Sequence, residues 1–100
     1  MTLEHLTRES LSEQLNTKFR LSAGAEKFIE VELIEVVSGL EVPGQDSFSA
    51  IFRSALTDFF PQGTYLLEHE QLGSFELFLV PIRRDAEGFA YEAVFNRLKK

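Results

Sequence analysis

Tryptophan and cysteine are both absent from this sequence of 100 residues, and proline occurs only three times. Without cysteine the chain cannot form a disulfide framework, a thiol nucleophile, thiolate-bound zinc or a cysteine-ligated iron–sulfur cluster. Basic residues are in the minority, because ten Lys and Arg stand against sixteen Asp and Glu and the net charge is −6. An acidic chain is repelled by a phosphate backbone. We therefore expect no nucleic acid among its partners.

Long apolar runs are missing as well. The longest, such as residues 78–82, fall far short of the ~20 residues that a membrane-spanning helix needs. Residues 1–5 also lack the basic region and the apolar stretch of a signal peptide. The sequence therefore predicts a cytoplasmic protein that has no membrane partner.

Phenylalanine, in contrast, is plentiful, with ten Phe against two Tyr. Hydrophobic residues make up 44% of the chain and charged residues 26%, which is typical of a globular domain rather than a disordered tail. A chain of this length has room for one hydrophobic core. We predict a single domain over residues 1–100.

One short helix is predicted over residues 6–15. Thr7 suits the N-cap because its hydroxyl can accept a backbone N–H of the first turn. Leu11 and Leu15 are four residues apart and therefore share a face. Asn16 suits the C-terminal end, since Asn tolerates the left-handed backbone that often ends a helix.

After the helix the hydrophobic period changes from helical to alternating, which is typical of strands. Phe19 and Leu21, for example, alternate with Lys18 and Arg20. Turn signals separate six such segments, at residues 18–21, 27–37, 47–53, 64–70, 75–82 and 89–96.

The segment 27–37 changes phase within its length. Leu33 and the residues two and four before it share one face, whereas Ile34 and Val36 fall on the other. A change of phase by one residue is typical of a β-bulge, so we predict a bulge near Leu33. The alternative is a stretch that is buried on both faces, with Glu35 at an edge.

The segment 75–82 is apolar on both faces, because Phe78 and Val80 lie between residues that are themselves apolar. Such a strand is usually central and covered on both sides. The residues that follow, 83–88, are predicted to form a turn.

Strands joined by short turns are mostly antiparallel. We therefore predict a mainly β fold, a small antiparallel sandwich or partly closed barrel of about six strands, with one short N-terminal helix covering an open end or face. The alternating Phe residues supply the core, and no cofactor is needed to explain stability.

No catalytic or metal site is predicted. The two histidines are His5 and His69, and Glu68 and Glu70 point to the face of the strand opposite to His69. Converging ligands or acid–base groups are therefore missing. Glycine-rich phosphate loops and a serine-nucleophile motif are absent too. We predict that the protein is not an enzyme and holds neither metal nor cofactor.

Three surface residues are candidates for contact with a partner. Ile51 points outward from the segment 47–53, whose edge would pair with a partner or a second copy. Arg83 and Arg84 would hold an anion or a partner's carboxylate. The alternative is that both arginines lie in a solvated loop and form a local pair with Asp85.

Five strings of the sequence carry a resemblance: TLEHLT at 2–7, PQGTYLLEH at 61–69, FLVPI at 78–82, DAEG at 85–88 and YEAVFN at 91–96. In this order they resemble an uncharacterised family of bacterial domain-of-unknown-function proteins of about this size. The family has no assigned activity, so no catalytic residue transfers from it. The resemblance implies an accessory or structural role near phage-tail-like proteins. Glu68 and His69 are the matched polar residues that the fold needs least, and we predict a local polar network there.

The leading prediction is a non-enzymatic interaction or assembly module, with a protein partner or self-association. The alternative is a small apolar-ligand binder that uses a Phe-lined interior. At this length a filled core is favoured over a pocket, so a small-molecule ligand is not expected.

Overall fold

The computed structural model describes residues 6–23, 27–39 and 43–98, and most of these lie in strands. The elements, in chain order, are α1 (Arg8–Ser12), β1 (Lys18–Ser22), β2 (Phe28–Ser38), β3 (Gln45–Ser54), β4 (Gly63–His69), β5 (Gly73–Asp85) and β6 (Gly88–Leu98). This confirms the mainly β fold with six strands and one short helix near the N-terminus. His5 lies outside the described residues.

The six strands form a closed antiparallel barrel. Their order is β1-β2-β3-β6-β5-β4, and the ring closes because β4 pairs with β1. Of the two arrangements that the sequence left open, the structure is therefore the barrel. The chain builds it from two three-stranded meanders, β1–β3 and β4–β6, which meet where β3 pairs with β6 and β1 with β4.

Two bulges bend the strands that turn the corners of the barrel. The register of β2 against β3 shifts between Leu33 and Glu35, which confirms the predicted bulge. A second shift, which the alternation of the sequence does not indicate, lies between Pro81 and Arg83 where β5 pairs with β6. An extra residue on one strand increases its local bend and twist, and a small barrel needs such bends to close.

The interior of the barrel is filled by aromatic and aliphatic side chains. Phe48 and Phe95 stack with their ring centres 4.6 Å apart, and Phe19 meets Phe52 edge to face at 5.2 Å. All four rings are buried. Offset and edge-to-face pairs are the arrangements that aromatic rings prefer, so the alternating Phe residues form one core, as predicted.

The helix α1 is shorter than predicted. Thr7 is its N-cap, as expected, and its hydroxyl accepts the N–H of Ser10 at 3.0 Å. The helix ends at Ser12, and Leu15 is exposed instead of packing beside Leu11. The chain leaves the helix early because the N–H of Asn16, at φ 68°, donates to the carbonyl of Leu33 at 2.7 Å. This bond draws the chain onto β2 and starts β1.

The segment 55–62 closes the barrel end opposite to α1. Antiparallel pairing places the end of β3 and the start of β4 at that same end, although the two strands are not neighbours. The connection therefore crosses the mouth of the barrel. Phe60 is buried there, stacks on Tyr91 at 3.8 Å and donates its backbone N–H to the Tyr91 hydroxyl at 2.9 Å.

The prediction for β5 was wrong in two respects. The strand continues to Asp85, so Arg83 and Arg84 belong to it and not to a turn. The turn is short because the Asp85 carboxylate accepts the N–H of Glu87 at 2.8 Å and that of Gly88 at 3.1 Å. The strand is also uncovered on its outer side, where Phe78 is exposed.

In the described part of the chain, no helix has the length and apolar character needed to cross a membrane.

Candidate functional site

His69 lies at the end of β4 and forms a complete set of hydrogen bonds. Its Nδ1 accepts the backbone N–H of Gln71 at 3.0 Å and that of Leu72 at 3.2 Å. The proton of the neutral ring therefore sits on Nε2, which donates to the Thr17 hydroxyl at 2.9 Å. That hydroxyl in turn donates to the carbonyl of Gln14 at 2.7 Å. The network ties the β4–β5 turn to the segment between α1 and β1.

The environment of His69 favours the neutral imidazole. The ring is buried and packs on Phe19 with the ring centres 4.3 Å apart. Burial lowers the pKa of His69 below its usual 6.5, and the charge of Glu70 opposes this shift. A second proton would also displace the two N–H groups that Nδ1 accepts. This is the chemistry of a structural histidine, not of a general base.

We expect acidification to destabilise the fold through His69. As the pH falls below about 6.5 the unfolded chain takes up a proton on this imidazole, whereas the folded protein, with its lower pKa, does not. The free energy of unfolding therefore decreases until the folded imidazole is protonated as well. Urea unfolding from about pH 8 to about pH 5 measures this decrease.

The matched variant is His69→Asn, whose side-chain oxygen can accept the two turn N–H groups but does not titrate. It loses the bond to Thr17, so we expect it to be about 1–3 kcal/mol less stable at neutral pH and to show a flatter pH profile. Asp85 does not interfere, because the N–H of Glu87 lowers the pKa of its carboxyl below 3.8 and its contribution is lost only at more acidic pH. If the free energy of unfolding of the variant decreases with falling pH as steeply as that of the wild type, His69 is not the source of the pH dependence.

Glu68 does not join the His69 network. The two side chains point to opposite faces of β4, and the Glu68 carboxylate accepts from the Arg20 guanidinium at 2.9 Å on the outside of the barrel. Arg20 also lies over the ring of Phe28 at 4.8 Å. Lys18 and Glu32 pair on the same side at 3.4 Å. The outer face of β1 and β2 therefore carries two ion pairs beside the exposed ring of Phe28.

Ile51 does not have the exposure that a partner-facing residue needs. Its strand β3 pairs with β2 on one side and β6 on the other, so it offers no free edge. Ile51 does share the outward side of β3, opposite Glu35 and Glu92, but only 4% of its surface is exposed. The prediction that a partner pairs with the edge of the strand that carries Ile51 is therefore wrong, because both edges of β3 are already paired within the barrel.

Arg83 and Arg84 lie on β5 with their side chains exposed. Arg83 is opposite Ala90 and faces outward, and within the described part of the chain its one ion pair is a loose contact with Asp85 at 3.9 Å. Arg84 lies over the ring of Phe89 at 5.9 Å. Asp85 is also approached by Arg53 at 3.8 Å. The predicted local pair with Asp85 is present, but it occupies Arg83 only weakly.

Exposed apolar side chains of the barrel wall lie on β5 and β6, and others lie on β2 and β4. Phe78 is 53% exposed, Val94 is 59% exposed and Val80 is half-buried. We call this surface the β5–β6 outer face, and it consists of Glu76, Phe78, Val80, Arg83, Glu92 and Val94. In the sequence, Phe78 and Val80 are apolar on the second side of a strand, for which a cover was predicted. Val94 was missed, although its outward position follows from the alternation of β6.

In residues 6–23, 27–39 and 43–98 there is no group of three or more His, Asp or Glu residues placed to hold a metal ion.

Comparison with known proteins identifies a family for this chain. No curated protein and no solved structure matches the chain significantly. A family model does match, over residues 6–95. That range includes α1, all of β1 to β5 and most of β6, so the match covers the whole barrel except its last residues. The chain therefore belongs to the family described as Domain of unknown function (DUF6916).

Proposed function

We propose that this protein is a non-enzymatic interaction or assembly module that associates with another protein chain through the β5–β6 outer face. The observation that supports this is the exposure of Phe78 and Val94 on adjacent strands of one barrel wall. Neighbouring apolar side chains that remain in contact with water favour association, because burying them releases about 25 cal/mol per Å2.

The closed barrel limits how such a module can bind. Every strand has a neighbour on both sides, so no strand offers a free edge along its whole length. Association is therefore favoured through side chains of an outer face. The outer face of β1 and β2 carries the ion pairs of Arg20 with Glu68 and Lys18 with Glu32, whereas Glu76 and Glu92 on the β5–β6 outer face have no ion pair within the described residues. This difference favours the β5–β6 side.

The alternative of a small apolar ligand inside the barrel stays a prediction, and the core does not favour it. The stacked rings of Phe48 and Phe95 lie across the interior, and Phe60 with Tyr91 lies across one mouth. A ligand would have to displace rings that already bury one another.

The cellular context that we propose for this module is based on the family resemblance of the sequence. We propose a bacterial, cytoplasmic accessory protein of a phage-tail-like structure. A small module without catalytic groups suits such a role, since its contribution to an assembly is the surface that it presents.

Affinity capture from the native host tests this proposal. The bait is the full chain, and we expect it to retain structural proteins of a phage-tail-like particle, further copies of itself, or both. Phe78→Ser combined with Val94→Ser is expected to reduce capture roughly tenfold or more. The matched control is Phe28→Ser, because Phe28 is 54% exposed but lies on the opposite side, beside Arg20. Its capture should equal that of the wild type.

Two results would contradict the proposal. Equal capture by the double variant and the wild type would remove the β5–β6 outer face from the interaction. Capture of no protein under conditions that preserve the folded bait would remove the interaction role itself.

A further inference from the structure

We infer that the partner of the β5–β6 outer face is a second copy of this chain, bound about a twofold axis that crosses β5 midway between Phe78 and Val80. This inference rests on the proposed function and names its partner. It is carried by the order of charges along the outward side of β5, together with the exposed apolar side chains between them.

The bulge at Ile82 sets that order. Val80 lies opposite Glu92 on β6, and Arg83 lies opposite Ala90, two residues further along β6. The bulge absorbs one residue of β5, so Arg83 takes the next outward position after Val80 at the regular strand spacing. Ile82, the residue at the bulge, is itself 41% exposed.

The outward side of β5 consequently carries a negative group, two apolar groups and a positive group at equal intervals. These are Glu76, Phe78, Val80 and Arg83. A twofold axis perpendicular to the strand and midway between the apolar pair reverses this order in the second copy. Phe78 of each copy then lies on Val80 of the other, and Glu76 of each copy lies on Arg83 of the other. Each contact occurs twice, as isologous association requires.

The neighbouring strand fits the same axis. Glu92 lies opposite Val80 where the pairing of β5 with β6 ends, and Val94 is the next outward residue of β6. The rotation places the exposed Val94 of one copy on the methylene groups of Glu92 of the other. It does not bring Glu92 onto Glu92, so the acidic chain meets itself without a like-charge contact at the centre.

The two charged groups are free to make the new contacts. Glu76 is exposed and has no ion pair among the described residues. Arg83 is 47% exposed on its side chain, and its contact with Asp85 is long at 3.9 Å. Pairing them across the axis therefore breaks no strong bond within the monomer, and it adds two ion pairs at the rim of an apolar centre, which is the usual anatomy of an interface.

The charges also select this axis over the other twofold arrangement of the same face. An axis parallel to β5 would place Glu76 on Glu76 and Arg83 on Arg83, which repels. The row from Glu76 to Arg83 is about 20 Å long at the spacing of a strand. That length is suited to an interface at the lower end of the standard size, roughly 600 Å2 per partner, so we expect a dimer with a dissociation constant in the micromolar range.

Analytical ultracentrifugation of charge-reversal variants tests the inference. We expect the purified wild-type chain to show a monomer–dimer equilibrium, and the single variants E76R and R83E each to dissociate roughly a hundredfold more readily, because each places like charges in contact twice. An equimolar mixture of the two single variants restores every opposite-charge contact. We therefore expect it to form heterodimers with close to wild-type affinity, and the double variant E76R/R83E to form homodimers.

A dimer affinity that is restored when the two variants are mixed cannot be explained by a nonspecific effect of either charge reversal. Circular dichroism checks that each variant is folded. A wild-type chain that stays monomeric up to about 1 mM would overturn the inference, as would a dimer that is insensitive to both reversals. Neither outcome removes the proposed function if capture from the host still depends on Phe78 and Val94. If capture from the host does not depend on Phe78 and Val94 although the charge-sensitive dimer forms, the β5–β6 outer face serves self-association only.

Discussion

Gly88→Ala is expected to lower the free energy of unfolding by about 4 kcal/mol or more, which is a large part of the 5–15 kcal/mol that stabilises an ordinary domain. Gly88 starts β6 at φ +155°, a conformation that side chains rarely adopt, and a Cβ there would collide with the backbone carbonyl oxygen of Ser54. Ser54 is the last residue of β3 and pairs with Phe89 of β6, the residue that follows Gly88. Relieving this collision would require β3 and β6, which are paired with each other, to move apart.

The matched control for this substitution is Gly44→Ala. Gly44 also has a positive φ, +83°, but a Cβ there would meet nothing within 4 Å. It is expected to cost only the backbone strain, about 1 kcal/mol. Chemical denaturation of the two variants separates the steric collision from the strain. Similar losses of stability in both would show that the close approach of Gly88 to Ser54 is unimportant.

Phe60→Ala is expected to cost about 3–5 kcal/mol, the range for removing a large buried ring. Phe60 closes one mouth of the barrel, where it stacks on Tyr91 at 3.8 Å and meets Tyr65 edge to face at 4.9 Å. Its removal leaves a cavity next to Tyr91. The backbone N–H of residue 60, now next to that cavity, also loses the packing that holds it against the Tyr91 hydroxyl.

The neighbouring Phe59 provides the control. Phe59 is 53% exposed and meets other rings only at their margin, Phe89 edge to face at 5.1 Å and Tyr91 at 6.4 Å. Phe59→Ala is therefore expected to cost about 1 kcal/mol or less. Thermal and urea unfolding compare the two variants. If both substitutions cost the same, Phe60 does not close the barrel in the way that its burial indicates.

Alternation along the sequence predicted the strands well because it reports directly on which side chains point the same way. The phase change after Leu33 located the bulge of β2 for this reason. The second bulge gave no such signal, since Pro81 and Ile82 are both apolar and a shift between them does not alter the pattern. The length of α1 was overestimated because its end is fixed by the bond from Asn16 to Leu33, which joins residues distant in sequence.

The surroundings of individual residues were harder to predict than their direction. Alternation correctly separated Glu68 from His69, but nothing in the sequence connects His69 to Thr17, which lies 52 residues away. For Phe78 the sequence showed that it points away from the core-facing residues of β5. Whether anything covers that side depends on the placement of α1 and the crossing segment, both of which close the ends of the barrel and leave its wall open.

Neither three-stranded meander can bury its aromatic side chains alone. Phe48 on β3 stacks on Phe95 of β6, and pairs such as Ser49 with Val94 join residues from the two halves of the chain. Such distant contacts form only after a large loss of chain entropy. The barrel is therefore expected to fold slowly for its size and in a single concerted step, in which both halves become ordered together.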